Sequence, residues 1–346
     1  MIKKELFDKN FDGKKIALYT LKNKNGMSVD ITNYGAKIVT VNVPDRNGNF
    51  ADVVLGFETI DEYLEKEPFF GAICGRFANR IKNGTFTLDG KTYNLAINNG
   101  PNHLHGGIAG FNVKVWDILE TTENKLVLHY LSADGEENYP GNLNVTLTYE
   151  LSDENELKIR YEATTDKPTV IGLCNHSYFN LKGAGEGTVN DHFLKIEADF
   201  HTVLDDTQSP TGEIVPVEGT DFDFRQSTLI SERNDKEAFA LGRGLDNNWI
   251  VRKNYPKELA LAATLYEPVS GRKLETFTTQ PGIQIYTGNW IDKNSGKYGK
   301  SYDEQDAICL EAQNFPNSPN IAHFPSAVLR PEEKYDEYCI YKFSAG

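Results

Sequence analysis

No apolar run in this 346-residue sequence approaches the roughly 18 residues that suggest a membrane span. The basic residues of the opening segment, MIKKELFDKNFDGKKIAL, have no long apolar stretch behind them, so no export signal is expected and a cytoplasmic location is. Cysteine is scarce: Cys74, Cys174, Cys309 and Cys339 stand far apart without CxxC spacing, which argues against a zinc site or redox pair and for buried free thiols. Positive charge is also in deficit, 36 basic against 50 acidic residues for a net charge of −14, so nucleic acid and anionic membranes are not expected partners. Neither G-x-G-x-x-G nor G-x-x-x-x-G-K-[ST] occurs, which removes the common nucleotide cradles. Finally, no Pro/Ser-rich linker, charge block or long-period repeat divides the chain, and residues 1–346 are expected to form one domain.

What the sequence does have is alternation of apolar and polar residues with period 2, the pattern of half-buried strands. Val145, Leu147, Tyr149 and Leu151 alternate, residues 152–155 supply turn chemistry, and Leu157, Ile159, Tyr161 and Ala163 alternate again. A second hairpin is expected from Phe86 and Leu88 through Asp89-Gly90 to Tyr93 and Leu95, the Asp-Gly pair suiting the positive φ angles of a tight turn. A third runs from Val39, Val41 and Val43 through 44–49 and returns over 53–55. Helical period is confined to residues 60–65 and 231–241. The expected fold class is all-β: a large antiparallel β-sandwich with a few short helices and a broad sheet face free for a ligand.

Five stretches break the alternation with polar residues set among glycines, prolines and aromatics: GRFANR (75–80), NNGPNHLHGG (98–107), NHSYFNL (175–181), LDNNWI (245–250) and QPGIQ (280–284), the last feeding a strand before LEAQN (310–314). In this order GRFANRI, PNHLHGG, NHSYFNL, TTQPGIQIYTGN and LEAQNFPNSPN resemble the signatures of the aldose 1-epimerases, the galactose mutarotase family. The flanking hairpins fit as well, so the resemblance extends over nearly the whole chain. It implies a mutarotase-type sandwich that interconverts α and β anomers of free aldoses such as galactose and glucose in hexose metabolism, without a cofactor or metal, as a monomer or homodimer. It further implies that His176 is the general acid, Glu311 the general base and His105 an assistant near the ring oxygen. Arg80, Asp246 and Gln284 would hold sugar hydroxyls, with Asn79 in support. Asn247 stands where a histidine is often expected and Phe77 at a variable position, which bears on sugar preference more than on chemistry.

Those residue types suit the reaction. Opening a cyclic hemiacetal removes a proton from the anomeric hydroxyl while another reaches the ring oxygen, which calls for one base and one acid on opposite sides of a bond. A glutamate near its ordinary pKa of about 4.3 is ionised at neutral pH, and a histidine near about 6.5 can lend a proton and recover it. A carboxylate beside the imidazole should raise the alkaline limb of activity above the free histidine value, unless burial opposes it. The chemistry is a proton exchange about a C–O bond with no redox step.

Other readings of the same residues are weaker. His103 and His105 alternate as a strand pair that could share a cation, but residues 106–110 (GGIAG) add no carboxylate. Arg76 and His103 are read as structural. Large aromatics such as Phe77, Phe179 and Trp290 are read as core, while Trp249, three residues after Asp246, is expected near the pocket. A hexose-phosphate epimerase would need several cations converging on phosphate, and only Arg76 and Arg80 lie in the motifs. A noncatalytic sugar-binding sandwich would be expected to lack the acid or the base.

Overall fold

The computed structural model describes residues 2–66 and 68–346. The alternation in the sequence becomes the two faces of antiparallel sheets. The larger sheet has nine strands in the spatial order Asp117–Thr121, Lys125–Ser132, Leu143–Leu151, Glu156–Thr165, Tyr335–Ala345, Arg272–Thr278, Ala260–Tyr266, Phe193–Ile196 and Thr228–Leu229. A six-stranded sheet runs Tyr178–Phe179, Ile308–Gln313, Gly282–Tyr286, Asp246–Val251, Ala198–Leu204, Pro210–Pro216, and a four-stranded sheet holds Leu18–Lys22, Ser28–Thr32, Lys37–Pro44 and Phe50–Asp52.

One apolar cluster joins the inner faces. It takes Val145, Leu147, Tyr149, Leu157, Ile159 and Tyr161 from the nine-stranded sheet, and Trp249, Ile283, Ile285, Ile308, Leu310 and Ala312 from the six-stranded one. Fully burying a large apolar side chain of this kind contributes about 1.5–3 kcal/mol, so the register of each strand is strongly set. Because 308, 310 and 312 face the core, Cys309, Glu311 and Gln313 must face the other way. The same parity puts Gln284 beside Glu311 on the outer face, paired directly in register.

The first two hairpins form as the alternation requires. Leu143–Leu151 pairs with Glu156–Thr165, and Leu88 pairs with Lys91 across Asp89 and Gly90, whose φ angles are 49° and 79°. The third turns back earlier than residues 53–55: Phe50 already pairs with Pro44, because the Asp45 side chain accepts from the amides of Asn47 and Asn49 and closes the loop. The helix at Ile60–Glu65 is present, with a reciprocal Thr59–Glu62 capping box and Ile60 and Tyr63 turned inward. The expected helix at 231–241 is not. That segment forms two 3₁₀ pieces, Ile230–Glu232 and Glu237–Gly242, because Asn234 between them is buried and spends its side-chain oxygen on the Leu245 amide and the Thr287 hydroxyl.

Candidate active site

A cavity of about 820 Å³ opens over the outer face of the six-stranded sheet, and Asn79, Arg80, His105, His176, Asp246 and Glu311 all line it. These residues come from segments far apart in sequence. Glu311 projects from Ile308–Gln313, Asp246 begins Asp246–Val251, and His176 ends Cys174–His176, which pairs with Ala72–Cys74. Arg80 pairs with Leu104 across a two-residue ladder, which brings the NHLHGG loop beside the GRFANR loop. Gly106 makes that approach possible: its φ is 88°, and a Cβ there would lie 1.8 Å from the Gly75 carbonyl oxygen.

His176 and Glu311 form the floor. His176 Nε2 lies 3.5 Å from Glu311 Oε1, with both side chains almost fully buried. A thiol backs each: Cys174 Sγ donates to Glu311 Oε2 at 3.6 Å, and Cys309 Sγ lies 3.5 Å from His176 Nδ1. Tyr178 and Phe69 stack against the His176 ring, and His105 meets it edge-on with centroids 5.1 Å apart. The expectation of unshifted groups fails here. Burial, reinforced by Asp246, pushes the Glu311 carboxyl up to about 8, while burial pulls the His176 imidazole down to about 4. The expected rise of the imidazole beside a carboxylate is therefore overturned by desolvation, and the resting pair is a carboxylic acid facing a neutral imidazole.

His105 is fixed by the backbone. The Asn79 amide donates to His105 Nδ1 at 3.2 Å, and the His105 amide donates back to the Asn79 carbonyl. Burial and the neighbouring His176 and Arg80 hold its pKa well below the ordinary value, so its one ring proton sits on Nε2. That matters for metal chemistry. Ligand atoms of His105, His176 and Glu311 lie within 4.8 Å of one another. A cation on His105 would need the lone pair that the Asn79 amide occupies, or a proton moved onto Nδ1 against that donor, so the trio does not fit a resident metal. His103, the other half of the suggested strand pair, faces away and bonds Tyr139 and the Ala96 carbonyl.

On the other side of the cavity the polar groups form a chain. Gln284 Nε2 donates to Asp246 Oδ1 at 2.7 Å, and Arg80 Nε donates to Asn99 Oδ1 at 3.0 Å. Gln284 is buried beneath Asp246 instead of lining the cavity, and its Oε1 has no protein partner among the described residues. Arg80 and Asp246 do not pair with each other; Gln208 stands between them, with Oε1 accepting from Arg80 and Nε2 donating to Asp246. Arg76 is turned away and spends its guanidinium on Pro140, Gly141 and Ser132, which leaves Arg80 as the cavity's only arginine among the described residues. Lys66 also lines the cavity, with its Nζ donating to the Ser295 hydroxyl at 3.0 Å, so the several converging cations expected for a phosphate are not brought together by the motifs.

The aromatic assignments are exchanged. Trp249 is buried in the core with its Nε1 donating to the Phe222 carbonyl, because a residue three positions from Asp246 on a strand points to the opposite face. Trp290 is the tryptophan that lines the cavity, 56% exposed with the Arg243 guanidinium over its ring. Sequence reading also missed Phe69, Tyr178, Tyr286 and Gln208. Tyr178 and Tyr286 could have been found from strand parity with His176 and Gln284; Gln208 lies in a turn with no pattern to mark it.

Comparison with known proteins agrees along the chain. A family model described as aldose 1-epimerase matches residues 17–342. Galactose mutarotase of Sus scrofa is 46% identical over 321 residues, 92% of either chain, and aldose 1-epimerase of Escherichia coli K12 is 34% identical over 338 residues, 96% of this chain and 97% of its own. The crystal structure of an aldose epimerase homologue from C. elegans superposes with a TM-score of 0.89 at 34% identity, covering 95% of this chain and 99% of that one. Galactose 1-epimerase from Lactobacillus acidophilus superposes with a TM-score of 0.84 at 30% identity, covering 98% and 97%.

Proposed function

The chain belongs to the aldose 1-epimerase family and interconverts the α and β anomers of aldoses, and on that premise we propose that Glu311 and His176 carry the proton exchange while Arg80 and Asp246 hold the sugar. The observation that carries this reading is the 3.5 Å contact of Glu311 with His176 on the floor of a cavity whose opposite wall is polar.

The pair holds one proton in total. With the sugar bound, the reactive form places it on His176, which donates to the ring oxygen while Glu311 takes the proton of the anomeric hydroxyl. The C1–O5 bond breaks, C1 becomes an aldehyde carbon, and the pair is left as a carboxylic acid beside a neutral imidazole. That is also the resting form which burial favours, so burial favours the transfer once the charged form has been reached. Rotation about C1–C2 and the reverse transfers close the ring on its other face. The charged form is reached when sugar hydroxyls donate to the Glu311 carboxylate, helped by Arg80. His105, with its proton on Nε2, donates a hydrogen bond into the cavity near the ring oxygen, and Asn79 fixes it there. Gln284 orients Asp246 from below.

Galactose and glucose are the proposed substrates, free and unphosphorylated, with a single catalytic domain formed by the whole chain. A cytoplasmic location is part of the same reading; among the described residues no helix is long and apolar enough to cross a membrane. Polarimetry of freshly dissolved α-galactose and α-glucose tests the function directly. Faster approach to equilibrium rotation with either sugar is expected; uncatalysed rates with both would overturn it.

A further inference from the structure

Gln208 belongs to none of the motifs that mark the site, yet it touches both charged groups on the sugar-binding wall. Arg80 donates to its Oε1 at 2.9 Å, and its Nε2 donates to Asp246 Oδ2 at 3.3 Å. With Asn99 at one end and Gln284 at the other, five side chains are linked, and through Gln208 the hydrogen bonds run one way, from Arg80 to Asp246. An arginine and an aspartate sharing a cavity would otherwise tend to close on each other as a bidentate pair, consuming the donors and acceptors that a sugar needs. An amide is suited to prevent this because it accepts with one atom and donates with the other, whereas glutamate only accepts and lysine only donates.

The protein holds this amide firmly. Asp205 Oδ1 accepts from the amides of Thr207 and Ser209, Asp205 pairs with Lys82, and Asn102 donates to the Thr207 carbonyl. These ties anchor the turn to the NHLHGG loop and set Gln208 at a φ of 61°, in the left-handed region. Gln208, Leu241 and Asp246 also border a second cavity of about 330 Å³, so Asp246 has open space on that side and takes its lateral support from the amide.

We propose that Gln208 is the positioning residue for hydroxyl recognition: a neutral spacer that keeps Arg80 and Asp246 apart, with a fixed direction of hydrogen bonding, so that both face the sugar. This rests on the reading of Arg80 and Asp246 as sugar contacts. Gln208→Met keeps the shape and removes the amide, and Gln208→Glu keeps the acceptor for Arg80 while setting a like charge against Asp246. For both, KM is expected to rise about tenfold or more while kcat stays within about threefold, the signature of lost binding common to ground and transition states. Combined with Asp246→Asn, the Met substitution should raise KM by less than the product of the two single effects, because the residues share one chain. A KM within about twofold of wild type for both Gln208 variants, a kcat loss as large as the KM rise, or strictly multiplicative effects would overturn the inference. If Arg80→Met and Asp246→Asn themselves leave KM unchanged, the underlying reading fails; if they raise it and Gln208→Met does not, this inference alone fails.

Discussion

The two walls of the cavity solve opposite problems. The Glu311–His176 wall is dry: two thiols, Phe69 and Tyr178 surround the pair, and burial drives both groups toward their neutral forms. The Arg80–Asp246 wall is wired by side-chain amides, which hold its arginine and its carboxyl group apart. Desolvation biases a proton-carrying pair toward its uncharged form, the form in which ring opening leaves it, whereas a recognition group gains from a fixed direction of hydrogen bonding. One strand parity serves both, since Asp246, Gln284 and Glu311 all lie on the outer face of the same sheet.

The sharpest way to break this contrast is Glu311→Gln, which removes the proposed base and keeps its shape. It is expected to lower kcat by about 10²- to 10⁴-fold with sugar binding nearly intact, read by polarimetry alongside a sugar titration. Activity within about threefold of wild type would show the wrong carboxylate has been chosen. On the opposite wall, Asp246→Asn should raise KM by about tenfold and change the ratio of galactose to glucose turnover, because a lost acceptor penalises one epimer's hydroxyl more than the other's. Equal losses for both sugars would make Asp246 a structural residue.

Acidity tests the Glu311–His176 wall next. The active pair carries one proton, so kcat/KM should be bell-shaped for the free enzyme. The acid limb lies near the lowered His176 value of about 4, as a second proton arrives, and the alkaline limb near the raised Glu311 value of about 8, as the only proton leaves. A flat profile, or an alkaline limb in the ordinary carboxylate range, would contradict the dry wall.

Stability offers a smaller signal of the same cause. A carboxyl whose pKa is higher folded than unfolded gives stability that is present below the ordinary carboxylate range and lost as pH rises toward about 8. Glu311→Gln carries no such loss, so its Tm should exceed that of wild type at pH 9 and differ less at pH 5. The reverse ordering would show that the charged carboxylate is well solvated in the fold. The smallest effect expected is none: dialysis against a strong chelator should leave activity unchanged, since the His105 lone pair is held by the Asn79 amide. Activity lost and restored by one divalent metal would overturn that assignment.

The amino-acid sequence by itself determined the β architecture, the long hairpins and the residues gathered on the cavity that are proposed as acid, base and charged sugar contacts. Alternation is a local property, and polar residues bunched among glycines interrupt it visibly. Even Trp249 was within its reach, because parity from Asp246 assigns it to the core. Tertiary structure alone decided the rest. Whether Glu311 is ionised depends on the groups that distant segments place around it, Cys174, Arg80 and Asp246 among them, and burial outweighed the neighbouring charge that pair reasoning favours. The part played by Gln208 comes from a turn about 128 residues from Arg80 and 38 from Asp246, so no local pattern could carry it. Desolvation and long-range hydrogen bonding are sums over neighbours in space, and the chain has those neighbours only once it has folded.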